Sequence, residues 1–193
     1  MSDKKVVLYD ACIFYSAPLR DFLIRFALTK IIRAKWSETI HEEWIRNLLK
    51  NRSDITREAL TRTRVALDRA VPDALIEEDR YNNLIPSLEL PDVNDRHVLA
   101  AAIASKVDII LTFNLKDFPD VVLNTYDMEA MHPDEFVLQQ LKLYPATVLE
   151  CLVQQQKALR KPPVTMPELL HNLRKNGLRQ SSEIIRKLMR IES

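Results

Sequence analysis

The sequence predicts an α/β fold, with a central, mainly parallel sheet flanked by helices and an α-helical extension at the C-terminal end. Three observations predict it. Short apolar runs, VVLYD (6–10) and DIILT (108–112), read as buried strands because they lack polar alternation. Segments with apolar residues at helical spacing alternate with these runs, as in chains that build parallel sheets through crossover helices. After about residue 130 the strand pattern stops and short helical segments follow one another. The chain therefore divides into an α/β domain, residues 1–130, and a helical extension, 131–193.

The elements follow in order. VVLYD forms the first strand and ends in Asp10. LRDFLIRFALTKII (19–32) is apolar at helical spacing. WSETIHEEWIRNLLK (36–50) makes a second helix with Ser37 as N-cap and Ile40, Trp44, Ile45, Leu48 and Leu49 on one face. Residues 54–70 form an amphipathic helix that stops before Pro72. DALIEE (73–78) is a candidate strand, RHVLAAAIASK a small-residue helix that packs closely on a sheet, DIILT a second firm strand and VVLN (121–124) a further short one. In the extension, HPDEFVLQQLKLYP, ATVLECLVQQQKAL, TMPELLHNLRKNG and QSSEIIRKLMR read as four helices. Pro133 suits an early helical position, Gly177 suits a helix stop, and KPPV (161–164) breaks the series.

Composition excludes several function classes. Gly177 is the one glycine in 193 residues. A dinucleotide-binding GxGxxG or a phosphate-cradling P-loop needs several, so neither exists here. No apolar run approaches the roughly 20 residues of a membrane span. The N-terminal MSDKKVVLYD has no secretory h-region, so the expected location is the cytoplasm. Cys12 and Cys151 match no zinc or redox spacing and read as reduced thiols. Net charge is +1, but from Lys157 onward nine Lys/Arg face three Asp/Glu, leaving an acidic body and a basic tail. Such a tail suits a polyanionic or acidic partner, or simply a solvated helical face.

The acidic residues carry the chemistry. In an open parallel sheet, ligands bind in the crevice outside the carboxyl ends of the strands. Asp10 ends the first strand there, and Asp117 lies in the loop after DIILT with Asn114 just before it. Asp95 opens the Ala-rich helix, and Glu43 lies on the helix around Trp44, its neighbour Glu42 rotated about 100° away. Taken singly, Asp92 and Asp95 fit helix caps, Asp117 a turn and Glu43 a surface charge. Asp10 is harder to explain in that way. Four carboxylates meeting in one crevice need protons or cations to neutralise them, and magnesium suits such a set.

Together these residues resemble the PIN domain, the metal-dependent ribonuclease domain of VapC-type toxins and related nucleases. The resemblance covers about residues 5–125: VVLYDACIFYS with Asp10, SETIHEEWIRNL with Glu43, DRHVLAAAIA with Asp95, and DIILTFNLKDF with Thr112, Asn114 and Asp117. It implies an endoribonuclease that cleaves structured RNA (tRNA or rRNA) with Mg2+ or Mn2+. Asp10, Asp95 and Asp117 would coordinate metal directly or through water, Glu43 would hold metal or orient the attacking water, and Asn114 and Thr112 would be secondary. It also implies a cognate antitoxin and a homodimer. Two departures stand out. Ala11 occupies a position where the family often has Thr or Ser, so hydroxyl support for Asp10 must come from elsewhere, Ser16 being the candidate. Asp92 competes with Asp95 for the third acidic position, and the spacing of Leu99, Ala100 and Ala102 favours Asp95.

RNA contacts would come from Arg46, Lys50 and Arg52, joined by Arg57, Arg62 and Arg64, as a cationic wall beside the acids, although solvated helix faces account for them equally well. His41, His97, His132 and His171 share no ligand spacing and are assigned packing or surface roles, although His97, in the first turn of its helix, has the crevice within reach; Trp36 and Trp44 are assigned to the core. Two other functions remain from the same reading: an RNA-processing nuclease without an antitoxin, and a PIN-like module that binds RNA or protein without cutting. A phosphatase of the haloacid dehalogenase type needs a second Asp where Cys12 stands.

Overall fold

Strand and crossover helix alternate to build one five-stranded sheet in which every neighbouring pair runs parallel. The structure is a computed structural model and describes residues 4–191. β1 (Val6–Tyr9) lies at the centre, with β2 (Arg33–Ser37) and β3 (Leu75–Ile76) on one side and β4 (Ile109–Leu111) and β5 (Glu129–Met131) on the other. The chain thus runs outward from β1 through β2 and β3, then returns across β1 to β4. That reversal falls between β1 and β4, where Val7, Leu8 and Tyr9 pair with Ile109, Ile110 and Leu111. A parallel sheet opens a crevice beyond the C-terminal ends of its strands at such a point.

Helices cover the sheet. α1 (Ala11–Tyr15) and α2 (Ala17–Leu28) connect β1 to β2; α3 (Glu38–Asn51) and α4 (Arg57–Ala70) connect β2 to β3. α5 (Arg96–Ala104) leads into β4, and α6 (Asp120–Leu123) lies between β4 and β5. Val98, Leu99, Ala100, Ala101 and Ala102 of α5 are all wholly buried. Their small side chains let the helix backbone lie close to the sheet, which fixes where its first residue points.

The core centres on Tyr9, Phe14, Trp36 and Trp44, with Phe14 edge-on to Trp36 at 5.6 Å and stacked on Trp44 at 6.2 Å. Both tryptophans are core residues, as expected, and both find partners for their N–H groups. Trp36 Nε1 donates to Asp68 (2.8 Å) and Trp44 Nε1 to His41 Nδ1 (2.9 Å). Burial lowers the pKa of His41, which favours a neutral ring with its Nε2–H toward Asp68 at 3.0 Å. The ring nitrogens of Trp36, His41 and Trp44 are thereby paired rather than left to cost stability.

Several expected elements differ. The helix expected over 19–32 spans Ala17–Leu28, capped by Ser16 and ended at Thr29, and Lys30 adopts a positive φ of 61°. The chain then enters β2, whose RAKWS holds too few apolar residues to read as a strand. VVLN is not a strand. Its residues fall in α6, started after Pro119, and Val121 faces solvent. The edge strand on that side is β5, three residues long and too short to give a period.

The extension comprises α7 (Pro133–Leu143), α8 (Pro145–Ala158), α9 (Met166–Lys175) and α10 (Arg179–Leu188). A buried carboxylate ties its ends together: Asp134, in the first turn of α7, accepts from Gln180 N (2.8 Å), Ser181 N (2.9 Å) and Ser181 Oγ (2.6 Å) at the start of α10. Gly177 follows α9 with φ of 103° and lies against Phe113; a Cβ there would come within 2.4 Å of the Phe113 ring. Replacing Asp134 by Ala leaves three donors without their acceptor and removes hydrogen bonds to a charged group, a loss of about 3 kcal/mol. Calorimetry is expected to show a melting temperature lower by roughly 6–12 °C in a chain of this size.

Candidate active site

Each acidic side chain reaches the C-terminal edge of the sheet by a different local route. Asp10 follows β1 directly and caps α1, its Oδ1 accepting from Ala11 N at 2.6 Å. Its Oδ2 accepts from Thr112 Oγ1 (2.7 Å) and from the Cys12 thiol (3.2 Å). The hydroxyl support missing at Ala11 therefore comes from Thr112 at the end of β4. Ser16, the expected candidate, instead caps α2, accepting from Leu19 N. Asp10 is 5% exposed, and burial is the largest influence raising its pKa.

Glu43 projects from α3, and its Oε2 lies 3.3 Å from His97 Nε2. Its neighbour Glu42 turns outward and pairs with Arg57 at 3.0 Å. Asp95 occupies the N-cap position of α5 in helical backbone geometry and makes no capping hydrogen bond, so its carboxylate is not spent on the helix. Asp92 is spent: it accepts from Asn94 N (2.8 Å) and Asn94 Nδ2 (2.9 Å) and is exposed. Asp10, Glu43, Asp95 and Asn114 line one open crevice of about 430 Å³, as Asp95 does and Asp92 does not. Asp117 is set back in the turn after β4, within electrostatic reach of Asp95.

That electrostatic coupling shows in Asp95. Its pKa rises from 3.8 to about 7, first through burial and then through the charges of Asp10, Asp92, Asp117 and Glu43. Metal-free, this crevice is a site short of positive charge. Among the described residues no three His, Cys, Asp or Glu side chains stand close enough together to cage an ion as placed. The donors that face the crevice are hard oxygens. They fit a small divalent cation that keeps several waters and takes only a few carboxylates.

The crevice also holds residues that the sequence reading did not single out. Cys12 lines it, accepts from Phe113 N (3.4 Å) and is held in the thiol form by burial and by the Asp10 charge. Cys12 stands two residues after Asp10, a closeness that could have found it. Asn47 and Asn51 line the crevice too, four and eight residues after Glu43 on the same face of α3. His97 contacts Glu43 rather than serving only as packing. Asn176 arrives from the extension and no local signal marked it. The expected cationic wall is partly neutralised: Arg52 pairs with Asp54 (2.6 Å), Arg57 with Glu42, and Arg64 with Glu38 and Asp68. Arg46 and Lys50 are exposed and form no ion pair among the described residues.

The sequence profile of the PIN domain matches residues 6–116, from the start of β1 into the turn that carries Asp117. The chain belongs to the PIN domain family. A second profile, that of the VapC50 C-terminal domain, matches residues 133–187 and so covers α7 to α10. The chain is also similar to the protein named "Putative ribonuclease VapC50" of Mycobacterium tuberculosis, 42% identical over 93 residues, which are 48% of this chain and 54% of that protein. The match spans about half the length of that relative. No solved structure matches. The fold agrees with the PIN assignment: a parallel sheet flanked by helices, with a VapC50-type helical region after it.

A raised carboxyl pKa means that the folded protein holds a proton the unfolded chain would release. The stability Asp95 contributes is therefore full below about pH 4 and is lost as pH rises through about 7. With metal chelated, Asp95→Asn is expected to melt about 2–4 °C above wild type at pH 8, the effect of roughly 1 kcal/mol, with the gap closing toward pH 5. Thermal melts of the two proteins across pH check this.

Proposed function

We propose that this chain is a divalent-cation-dependent endoribonuclease and the toxin of a VapBC-type pair, acting on tRNA or rRNA in the cytoplasm. The convergence of Asp10, Glu43 and Asp95 on one crevice, in a chain of the PIN family, carries this reading. Likeness to a protein whose name includes ribonuclease supports it, as does the absence, among the described residues, of any helix long and apolar enough to cross a membrane. An antitoxin partner and a homodimer belong to the same proposal and rest on family likeness. So does the division into a nuclease unit, residues 1–130, and an extension, 131–193.

Asp10, Glu43 and Asp95 would hold Mg2+ or Mn2+, with Asp117 behind them and Asn114 at the rim. Such a cation supplies Lewis-acid stabilisation of the charge that develops when a phosphodiester is hydrolysed. The chain itself provides the positioning. Thr112 and Cys12 fix the Asp10 carboxylate from below, so it points at the crevice in one rotamer. Glu43 is steadied by His97 and lies where it can orient a water toward a phosphate. Asn114 offers a side-chain amide at the rim, and its backbone N–H is held by Thr112 Oγ1 at 3.0 Å. One hydroxyl thus organises both the carboxylate and the loop beside it.

Incubating purified protein with total tRNA and rRNA, in magnesium, in manganese and in EDTA, tests the activity. Metal-dependent cleavage is expected, and a normally folded Asp95→Asn variant should lose at least about 100-fold of it, more than a supporting partner is worth. No cleavage of any RNA in either metal would overturn the nuclease and leave a binding module.

Thr112→Val keeps the shape and deletes the hydroxyl. Its cleavage rate is expected to fall about 10–100-fold, in line with losing an outer partner of a metal ligand. An unchanged single-turnover rate would show that Asp10 needs no such support.

A further inference from the structure

We propose that the turn between α9 and α10, Lys175 to Arg179, forms part of the RNA site, with Asn176 meeting the ribose backbone in the crevice and Lys175 and Arg179 holding phosphates beside the scissile bond. This rests on the nuclease reading and gives the extension a role in it.

Position is the first argument. Asn176 lies far along the chain from every acidic residue, yet it lines the same crevice as Asp10, Glu43 and Asp95. The turn is held there on two sides. Gly177 lies against Phe113, which lines the crevice immediately before Asn114, and Asp134 anchors the first turn of α10 just beyond Arg179.

Chemistry is the second. Asn176 Nδ2 donates to Asn172 O at 2.7 Å, which leaves Oδ1 as the side chain's free acceptor. A free acceptor beside an acidic centre suits a neutral donor, and the 2′-hydroxyl is the donor that RNA has and DNA lacks. Charge is the third. An acidic crevice repels a polyanion, so cations at its margins must hold the strand. Arg52, Arg57 and Arg64 on the α3–α4 side are engaged with acids, which leaves Arg46 and Lys50 as exposed cations there. Lys175 and Arg179 are exposed and, among the described residues, make no ion pair. The basic excess of the tail is thereby placed, in part, on either side of the residue that enters the crevice.

Binding of a fluorescent single-stranded RNA to the full chain, in EDTA and over a salt series, tests this. The double variant Lys175→Ala/Arg179→Ala should bind about tenfold more weakly at moderate salt, with a salt dependence shallower by about 1 to 1.5 in the log–log slope. Lys157→Ala/Arg160→Ala, which removes two charges elsewhere in the extension, should bind as wild type does. Asn176→Ala, with an unchanged melting temperature, should weaken RNA binding about fivefold and leave DNA of the same sequence unaffected. Equal affinity and slope for wild type and the Lys175/Arg179 variant would overturn the inference while leaving the nuclease intact. A wild type that neither binds nor cleaves RNA would overturn both.

Discussion

Repulsion among carboxylates that share one crevice is the constraint around which this protein is organised. Asp10, Glu43 and Asp95 meet where the sheet reverses direction, and Asp117 and Asp92 add their fields from outside. Folding alone gains nothing from this arrangement; burying like charges together weakens a fold unless something neutralises them. The protein meets part of that cost with protons, as the displaced pKa of Asp95 shows, and part with donors. Asp10 is the best served, taking hydrogen bonds from a backbone N–H, a hydroxyl and a thiol. What those donors cannot supply is net positive charge, and that remaining deficit is the physical basis for proposing a cation at the site.

The same crevice explains why the helical extension is more than an appendage. Phe113 lies between the His132 ring, 5.0 Å away at the start of α7, and Gly177 after α9. Any change in how the extension sits therefore bears on the segment that carries Thr112 and Asn114. Asp134 holds α7 to α10 by hydrogen bonds that a surface ion pair could not match, since they are buried and charge-assisted. The acidic edge and the extension share a wall.

Much of the fold was legible in the sequence, because long amphipathic helices and the two central strands bury enough apolar surface to leave a period. The strands β2 and β5 were not legible, because they take their geometry from neighbours rather than from composition, and VVLN shows the converse, a β-branched run made helical by its place after Pro119. Asp10 and Asp95 were legible for a similar reason, each sitting at a strand or helix end whose position the pattern fixes, and Glu43 through its place beside Trp44 on α3. Both Asp92 and Asp95 suit a helix start, and the sequence favours Asp95 by spacing alone; the geometry shows that Asp92 caps a turn and Asp95 faces the crevice. Asn176 escaped because its place in the crevice depends on a contact made across the fold.

Calorimetric titration of the metal-free protein with Mn2+, run near pH 7 in two buffers of different ionisation enthalpy, tests the central claim most directly. With the Asp95 pKa raised to about 7, the account predicts a single region of binding accompanied by proton release and abolished in Asp10→Asn. Absence of Mn2+ binding at millimolar concentration, or identical binding by Asp10→Asn, would contradict it.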